Sequence, residues 1–157
     1  MAADHRAIMV SLAQLHGWTR GVELGLGKGR LLRRLLTECP QLSMIGVDHF
    51  QHKADRWRPL VKAVVADFPG RAQVFGVSTV EASSRVQDGY VDFVFVDAGH
   101  SYQAVTQDIR GWRSKVKPGG WFGGHDFCDK FPGVQRAVRE AFGTAFDQLP
   151  CDIWVAR

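Results

Sequence analysis

The sequence is poor in cysteine, with three among 157 residues (Cys39, Cys128 and Cys151). No pair has the close spacing of a zinc site, and an odd count argues against a disulfide framework. Unpaired thiols point to a reducing, cytoplasmic setting. No apolar run approaches the roughly 20 residues that a bilayer crossing requires. The N-terminal stretch MAADHRAIMVSLAQLHGW carries charges within its first six residues and no long apolar core, so it does not read as a secretory signal. There is no internal repeat, low-complexity tract or linker. The net charge is only +4, and the basic clusters at Arg30, Arg33, Arg34 and at Arg110, Arg113, Lys115, Lys117 read as solvated helix faces rather than a nucleic-acid footprint.

What is present is ordinary globular material. The hydrophobic fraction is 45% and the charged fraction 23%, which excludes a disordered chain. The length suits one domain, residues 1–157. Glycine and proline punctuate an alternation of strand-like and helix-like segments. Helices are predicted over residues 4–16, 29–38, 53–68, 79–87, 101–116 and 133–142. Strands are predicted over 21–25, 42–48, 71–77, 90–98 and 121–124, with a terminal strand over 152–157. In 29–38, Leu31, Leu32, Leu35 and Leu36 share one face. In 53–68, Trp57, Leu60, Val61, Val64, Val65 and Phe68 recur at helical spacing. YVDFVFVDA (90–98) is almost wholly apolar, as a central parallel strand covered on both faces must be. Pro118-Gly119-Gly120 reads as a break between the fifth helix and the strand WFGG.

Strand followed by helix, five times over, implies right-handed crossovers and a three-layer α/β sandwich. In such sheets a ligand sits beyond the carboxyl ends of the strands. Those ends carry Glu23 to Gly29, Asp48-His49, Ser78, Asp97 to Tyr102, and His125-Asp126. Glycines at 25, 27 and 29 allow a tight turn and close approach of a ligand to the backbone. Their G-x-G-x-G spacing puts Arg30 where a dinucleotide fingerprint needs its last glycine. Glu23 would repel a pyrophosphate but suits a cationic amino group. Asp48 stands about 20 residues further on, where a carboxylate can accept hydrogen bonds from ribose hydroxyls. Ser78 either borders an adenine or caps the helix that follows it.

Here the chain resembles the class I S-adenosylmethionine-dependent methyltransferases over residues 18 to 128. VELGLGKG is similar to their first motif, VDHF to the second, VDFVFVDAGH to the fourth-strand motif and KPGGWFGGHDF to the fifth-strand segment. The combination DAGHSY…D…W…KPGG…HDF resembles small bacterial methyltransferases of the cephalosporin-hydroxylase-like and macrolide-sugar O-methyltransferase kind. The resemblance implies a Rossmann-like, mostly parallel sheet. It implies that Glu23, Gly25, Gly27 and Gly29 cradle the methionine part, and that Asp48, with His49 beside it, holds the ribose. Two departures stand out. Val77 replaces an acidic residue common in the subgroup. The chain also ends soon after its last helix, so a short or incomplete antiparallel edge is expected.

Asp97, His125 and Asp126 end neighbouring strands, about 5 Å apart, and can converge. One imidazole and two carboxylates suit Mg²⁺, Ca²⁺ or Mn²⁺. By resemblance, Asp97 and Asp126 match the metal carboxylates of the catechol-type enzymes, whereas Phe127 stands where those have Asn. Their basic lysine falls at His100, which could take a hydroxyl proton. The expected function is therefore methyl transfer to oxygen of a small molecule, with Asp97 and His100 catalytic and Asp97 also bordering the cofactor. The alternatives are a nucleic-acid methyltransferase, a non-catalytic nucleotide-binding module and a nicotinamide-dependent dehydrogenase. The first lacks the Asn/Asp-Pro-Pro-aromatic signature, and the second does not need both Asp97 and Asp126. Arg30 and Glu23 disfavour the third. With no long insertion after any strand, the pocket is expected to stay open or to be completed in a homodimer.

Overall fold

The computed structural model describes residues 4–51 and 54–157. Asp4 opens α1 (His5–His16) by accepting from the Arg6 amide, and Gly17 closes it in the left-handed conformation. The element order continues β1 (Arg20–Leu24), α2 (Arg30–Glu38), β2 (Ser43–Val47), α3 (Ala54–Asp67), β3 (Ala72–Phe75), α4 (Thr79–Ser83) and β4 (Val91–Val96). Then come α5 (Tyr102–Trp112), a 3₁₀ turn (Arg113–Lys115), β5 (Val116–Gly124), α6 (Pro132–Phe142), β6 (Phe146–Leu149) and β7 (Ile153–Ala156).

The strands form one seven-stranded sheet in the order β3-β2-β1-β4-β5-β7-β6. The first five run parallel, and β7 and β6 are antiparallel. The alternating apolar faces explain the layers. On one side, Met9, Val10 and Ala13 of α1, the four leucines of α2 and Val61 and Val64 of α3 pack on Met44, Phe93, Phe95 and Trp121. On the other, Ala82 of α4, Val105, Ile109 and Trp112 of α5 and Val134, Ala137, Val138 and Phe142 of α6 pack on Val22, Leu24, Val94, Val96 and Trp154. The three-layer α/β sandwich expected from the sequence is the observed fold. No described helix is long and apolar enough to cross a membrane.

Three segments differ from the sequence reading. α4 stops at Ser83, short of residue 87, because the Ser83 and Ser84 hydroxyls donate back to Val80 and Glu81 carbonyls and offer the backbone a way out of the helix. Pro118-Gly119-Gly120 is not a break before β5 but a bulge within it: pairing with β4 runs from Val91↔Val116 directly to Phe93↔Trp121, with Gly119 at φ +76°. The antiparallel edge is short yet complete, since β6 and β7 form a hairpin of four residues each that joins β5 only through Gly123 and Gly124.

The order of strands reverses direction between β1 and β4. At that switch point the two neighbouring loops leave the sheet on opposite sides and open a cleft.

Candidate active site

A cleft of about 650 Å³ lies at this rim, lined by residues from the ends of β1, β2 and β4, by Trp57 of α3, and by Thr79 at the start of α4. The glycine-rich turn forms its floor. Gly25, Gly27 and Gly29 have φ of +87°, +50° and +70°. At Gly25 the need for glycine is doubled, because a Cβ would lie 2.1 Å from the Asp97 carbonyl oxygen and 2.6 Å from the Ala98 Cα.

Glu23, next to last in β1, lines this floor and is only 3% exposed. Burial raises its pKa well above the usual carboxylate range, and the nearby Asp97 and Asp48 push it further in the same direction. Its Oε2 has no hydrogen-bond partner among the described residues. A buried carboxyl of this kind is ionised at low cost only when a cationic group enters the cleft beside it.

Asp48 is placed at the end of β2 as expected, and its carboxylate is already engaged. Oδ2 accepts from the Leu26 and Gly27 amides at 3.1 Å each, and Oδ1 accepts from the Phe50 amide at 2.8 Å. Asp48 thus ties the glycine turn to β2, with lone pairs left for a ligand. His49 also lines the cleft, and its Nδ1 accepts from the Gln51 amide at 2.9 Å. Ser78 does not line the cleft: its Oγ accepts from the Glu81 amide at 3.1 Å and caps α4, while the next residue, Thr79, lines the cleft instead.

Beyond the glycine turn, Asp97, His100, His125 and Asp126 come together. His100 Nε2 lies 2.6 Å from Asp126 Oδ2, and the ring stacks on Phe131 with centroids 4.3 Å apart. His125 Nδ1 lies 3.1 Å from Asp126 and 3.6 Å from Asp97. Burial opposes a charge on His125, but its close contact with Asp126 and the negative charges of Asp97 and Asp126 outweigh it and push its pKa up to about 10. The Asp126 carboxyl is held far below its usual range, since its bonds to His100 and His125 overcome its burial. The Asp126 bond likewise raises His100. Three donor atoms, one each from Asp97, His100 and Asp126, lie within 4.8 Å of one another. His125, expected as the imidazole of that set, instead sits between the two carboxylates as their counter-ion.

Some of the site was not anticipated. His5, in the first turn of α1, lines the cleft, and its ring meets that of His125 at a centroid distance of 4.3 Å. Burial and the His125 charge lower its pKa. Trp57, which the sequence marks only by its helical spacing, also lines the cleft. The only available signal for either was tertiary: α1 and α3 reach the rim by packing on the same sheet face.

The profile of a family described as a methyltransferase domain matches residues 22–127. The chain belongs to that methyltransferase family. Its class I fold and motifs make it an S-adenosylmethionine-dependent enzyme of that family, as the sequence resemblance implied. Among curated proteins, none matches the sequence. Solved methyltransferase structures share the fold. An O-methyltransferase from Bacillus cereus, determined with S-adenosylhomocysteine, is 14% identical with a TM-score of 0.76, over 100% of this chain and 82% of that one. A Podospora anserina methyltransferase, also bound to S-adenosylhomocysteine, is 12% identical with a TM-score of 0.77, over 99% and 78%. An O-methyltransferase of tomaymycin synthesis from Streptomyces achromogenes, bound to S-adenosylmethionine, is 13% identical with a TM-score of 0.75, over 99% and 79%. Likeness at such identities concerns the methyltransferase fold alone.

Proposed function

We propose that this methyltransferase transfers the methyl group of S-adenosylmethionine to a hydroxyl oxygen of a small molecule, with His100 taking the hydroxyl proton. The observation that carries this reading is the 2.6 Å His100–Asp126 pair at the edge of the cleft. Asp126 holds one ring nitrogen, which leaves His100 Nδ1 for a substrate hydroxyl. His100 Nδ1 would take the hydroxyl proton as the substrate oxygen accepts the methyl group. When bound, the cofactor supplies a sulfonium methyl group open to in-line displacement, so the protein's task is mostly positioning. Glu23 would meet the methionine amino group, the glycine turn would lie against the methionine backbone, and Asp48 and His49 would face the ribose. The small-molecule acceptor, the homodimer and the cytoplasmic setting expected above belong to the same reading.

The Asp48 arm of this proposal has its own test. Asp48→Ala removes both the ribose acceptor and the anchor of the Leu26 and Gly27 amides. It is expected to weaken S-adenosylhomocysteine binding by about 2–3 kcal/mol in isothermal titration. An unchanged affinity would place the ribose elsewhere, and NAD binding of comparable strength would overturn the cofactor assignment.

A second reading adds a divalent cation, and the donor set favours it: two carboxylates and an imidazole within 4.8 Å, without a thiolate, fit Mg²⁺, Mn²⁺ or Ca²⁺. The positive charge that Asp97 and Asp126 draw onto His125 is one that a metal could replace. Asp97, His100 and Asp126 would hold the ion, which would lower the pKa of a bound hydroxyl. Under this reading excess EDTA abolishes transfer, Mn²⁺ or Mg²⁺ restores it, and cofactor affinity stays the same. Full turnover in EDTA would assign proton removal to His100 without a metal.

A further inference from the structure

The basic cluster of α2 divides once its partners are known. Arg33 Nη1 pairs with Asp67 and Arg34 Nε with Glu38, each at 2.7 Å. Arg30, the first residue of the helix, is exposed and lines the cleft. Its guanidinium has no hydrogen-bond or ion-pair partner among the described residues. α2 gains nothing from it: a cation in the first turn opposes the helix dipole, and Arg34 one turn on repels it. Arg34 Nη1 also lies 3.6 Å from Asp4, the cap of α1. Arg30 therefore shares the face of α2 that looks toward the start of α1. A helical side chain covers the turn N-terminal to its own Cα, which for Arg30 is the glycine floor of the cleft. Arg6 reaches the same mouth from α1. Asp4 engages its Nε, at 3.0 and 2.9 Å to the two carboxylate oxygens, and its Nη groups remain as donors at the cleft lining. Beside Arg6, His5 meets His125 of the reactive cluster. The wall that runs through His5 to Arg6 and Arg30 thus joins the reactive corner to a basic mouth.

We propose that the acceptor carries an anionic group, a carboxylate or a phosphate, which Arg30 and Arg6 hold at the mouth between α1 and α2 while its hydroxyl faces His100. The inference rests on the methyl-transfer reading above and names the class of acceptor. The cofactor's own carboxylate does not account for both arginines. Lys28, inside the glycine turn beside the methionine part, lines the cleft without a partner among the described residues and suffices for one carboxylate. Nor do the acidic residues of the lining answer them. Asp48 accepts from three amides, Glu23 is buried in the floor, and Asp97 lies beside His125. An arginine presents its N–H groups as a planar fork that matches two oxygens of a carboxylate or a phosphate. An anion held at one end and a hydroxyl at the other fix the orientation of the acceptor before transfer.

The test uses enzyme saturated with S-adenosylhomocysteine, so that the place of the methionine carboxylate is filled. Three probes of similar shape, 3-hydroxybenzoate, 3-hydroxyphenyl phosphate and the uncharged 3-hydroxybenzamide, are titrated calorimetrically at constant ionic strength. The tighter of the two anions is expected to bind about tenfold or more tightly than the amide. Which anion is tighter tells whether a carboxylate or a phosphate is the group held. Arg30→Gln should bring the ratio toward one and leave S-adenosylhomocysteine affinity unchanged. Arg30→Lys should keep part of the ratio, since the charge remains and the fork is lost. Arg85→Gln, outside the cleft lining, should change nothing. No binding of either anion, anions no tighter than the amide, or an Arg30→Gln variant with the full ratio overturns the proposal. Loss of S-adenosylhomocysteine affinity in Arg30→Gln, with the anion preference intact, would assign Arg30 to the cofactor carboxylate and overturn it as well. Failure of the unmodified enzyme to bind S-adenosylhomocysteine is a separate outcome, and it would remove the cofactor reading itself.

Discussion

His100→Ala is expected to lower kcat by about 10²- to 10⁴-fold, the range for loss of a positioned general base. Cofactor affinity should barely change, because the residue touches the cleft only at its reactive edge. The pH dependence carries the sharper signature. The Asp126 hydrogen bond raises the His100 pKa above its ordinary 6.5. A base must be neutral to act, so activity should climb with pH through an inflection above that value. Asp126→Asn removes the charge that stabilises the imidazolium, and the inflection should move down while the maximal rate falls. An inflection that stays in place in Asp126→Asn would mean that another group takes the proton.

The second large effect is expected at Gly25. Gly25→Ala forces an L side chain to φ +87° and drives its Cβ to 2.1 Å from the Asp97 carbonyl oxygen. Backbone cannot rotate away as a flexible side chain can. Left-handed strain and overpacking together should cost about 2–5 kcal/mol of stability in urea unfolding, and S-adenosylhomocysteine binding should be lost. Gly70 supplies the control: its φ is +76°, yet a Cβ there meets nothing within 4 Å. Gly70→Ala should pay only the conformational strain. Equal destabilisation by the two substitutions would show that the contact between the glycine turn and the β4 end does not matter.

The layers of the fold were legible because its strands and helices declare themselves by period. Val91–Val96 is apolar throughout, and the α2 leucines fall on one stripe. The β6 strand was not legible, since only its end residues Phe146 and Leu149 turn inward and the exposed Asp147 and Gln148 between them carry no alternating signal. The site was legible to the extent that parallel strands deliver their last residues to one rim. That rule brought Glu23, Asp48, Asp97, His100, His125 and Asp126 together. It could not separate Ser78 from Thr79, because which of two adjacent residues faces the cleft depends on how α5 seats α4. Nor could it find His5, whose place depends on α1 packing on the sheet face with its first turn at the rim. The exchange of partners between His100 and His125 had the same origin: Asp126 sits at φ +62°, a turn that sequence alone does not announce.

The central pairing of β1 with β4 joins Gly21 to Phe93, two segments far apart in the chain. The Asp92 carboxylate reinforces that seam by accepting from the Thr19 and Arg20 amides at 2.7 and 2.8 Å. Contacts at such separation form late in folding, after the loop-closure entropy of the intervening crossovers has been met. The β1-β2-β3 half can pair locally, but the reactive rim straddles the seam, with Glu23 on one side and Asp97 on the other. Ligand capture is therefore expected to develop only in the last kinetic phase of refolding, which makes a bound nucleoside a reporter of the closed seam rather than of secondary structure.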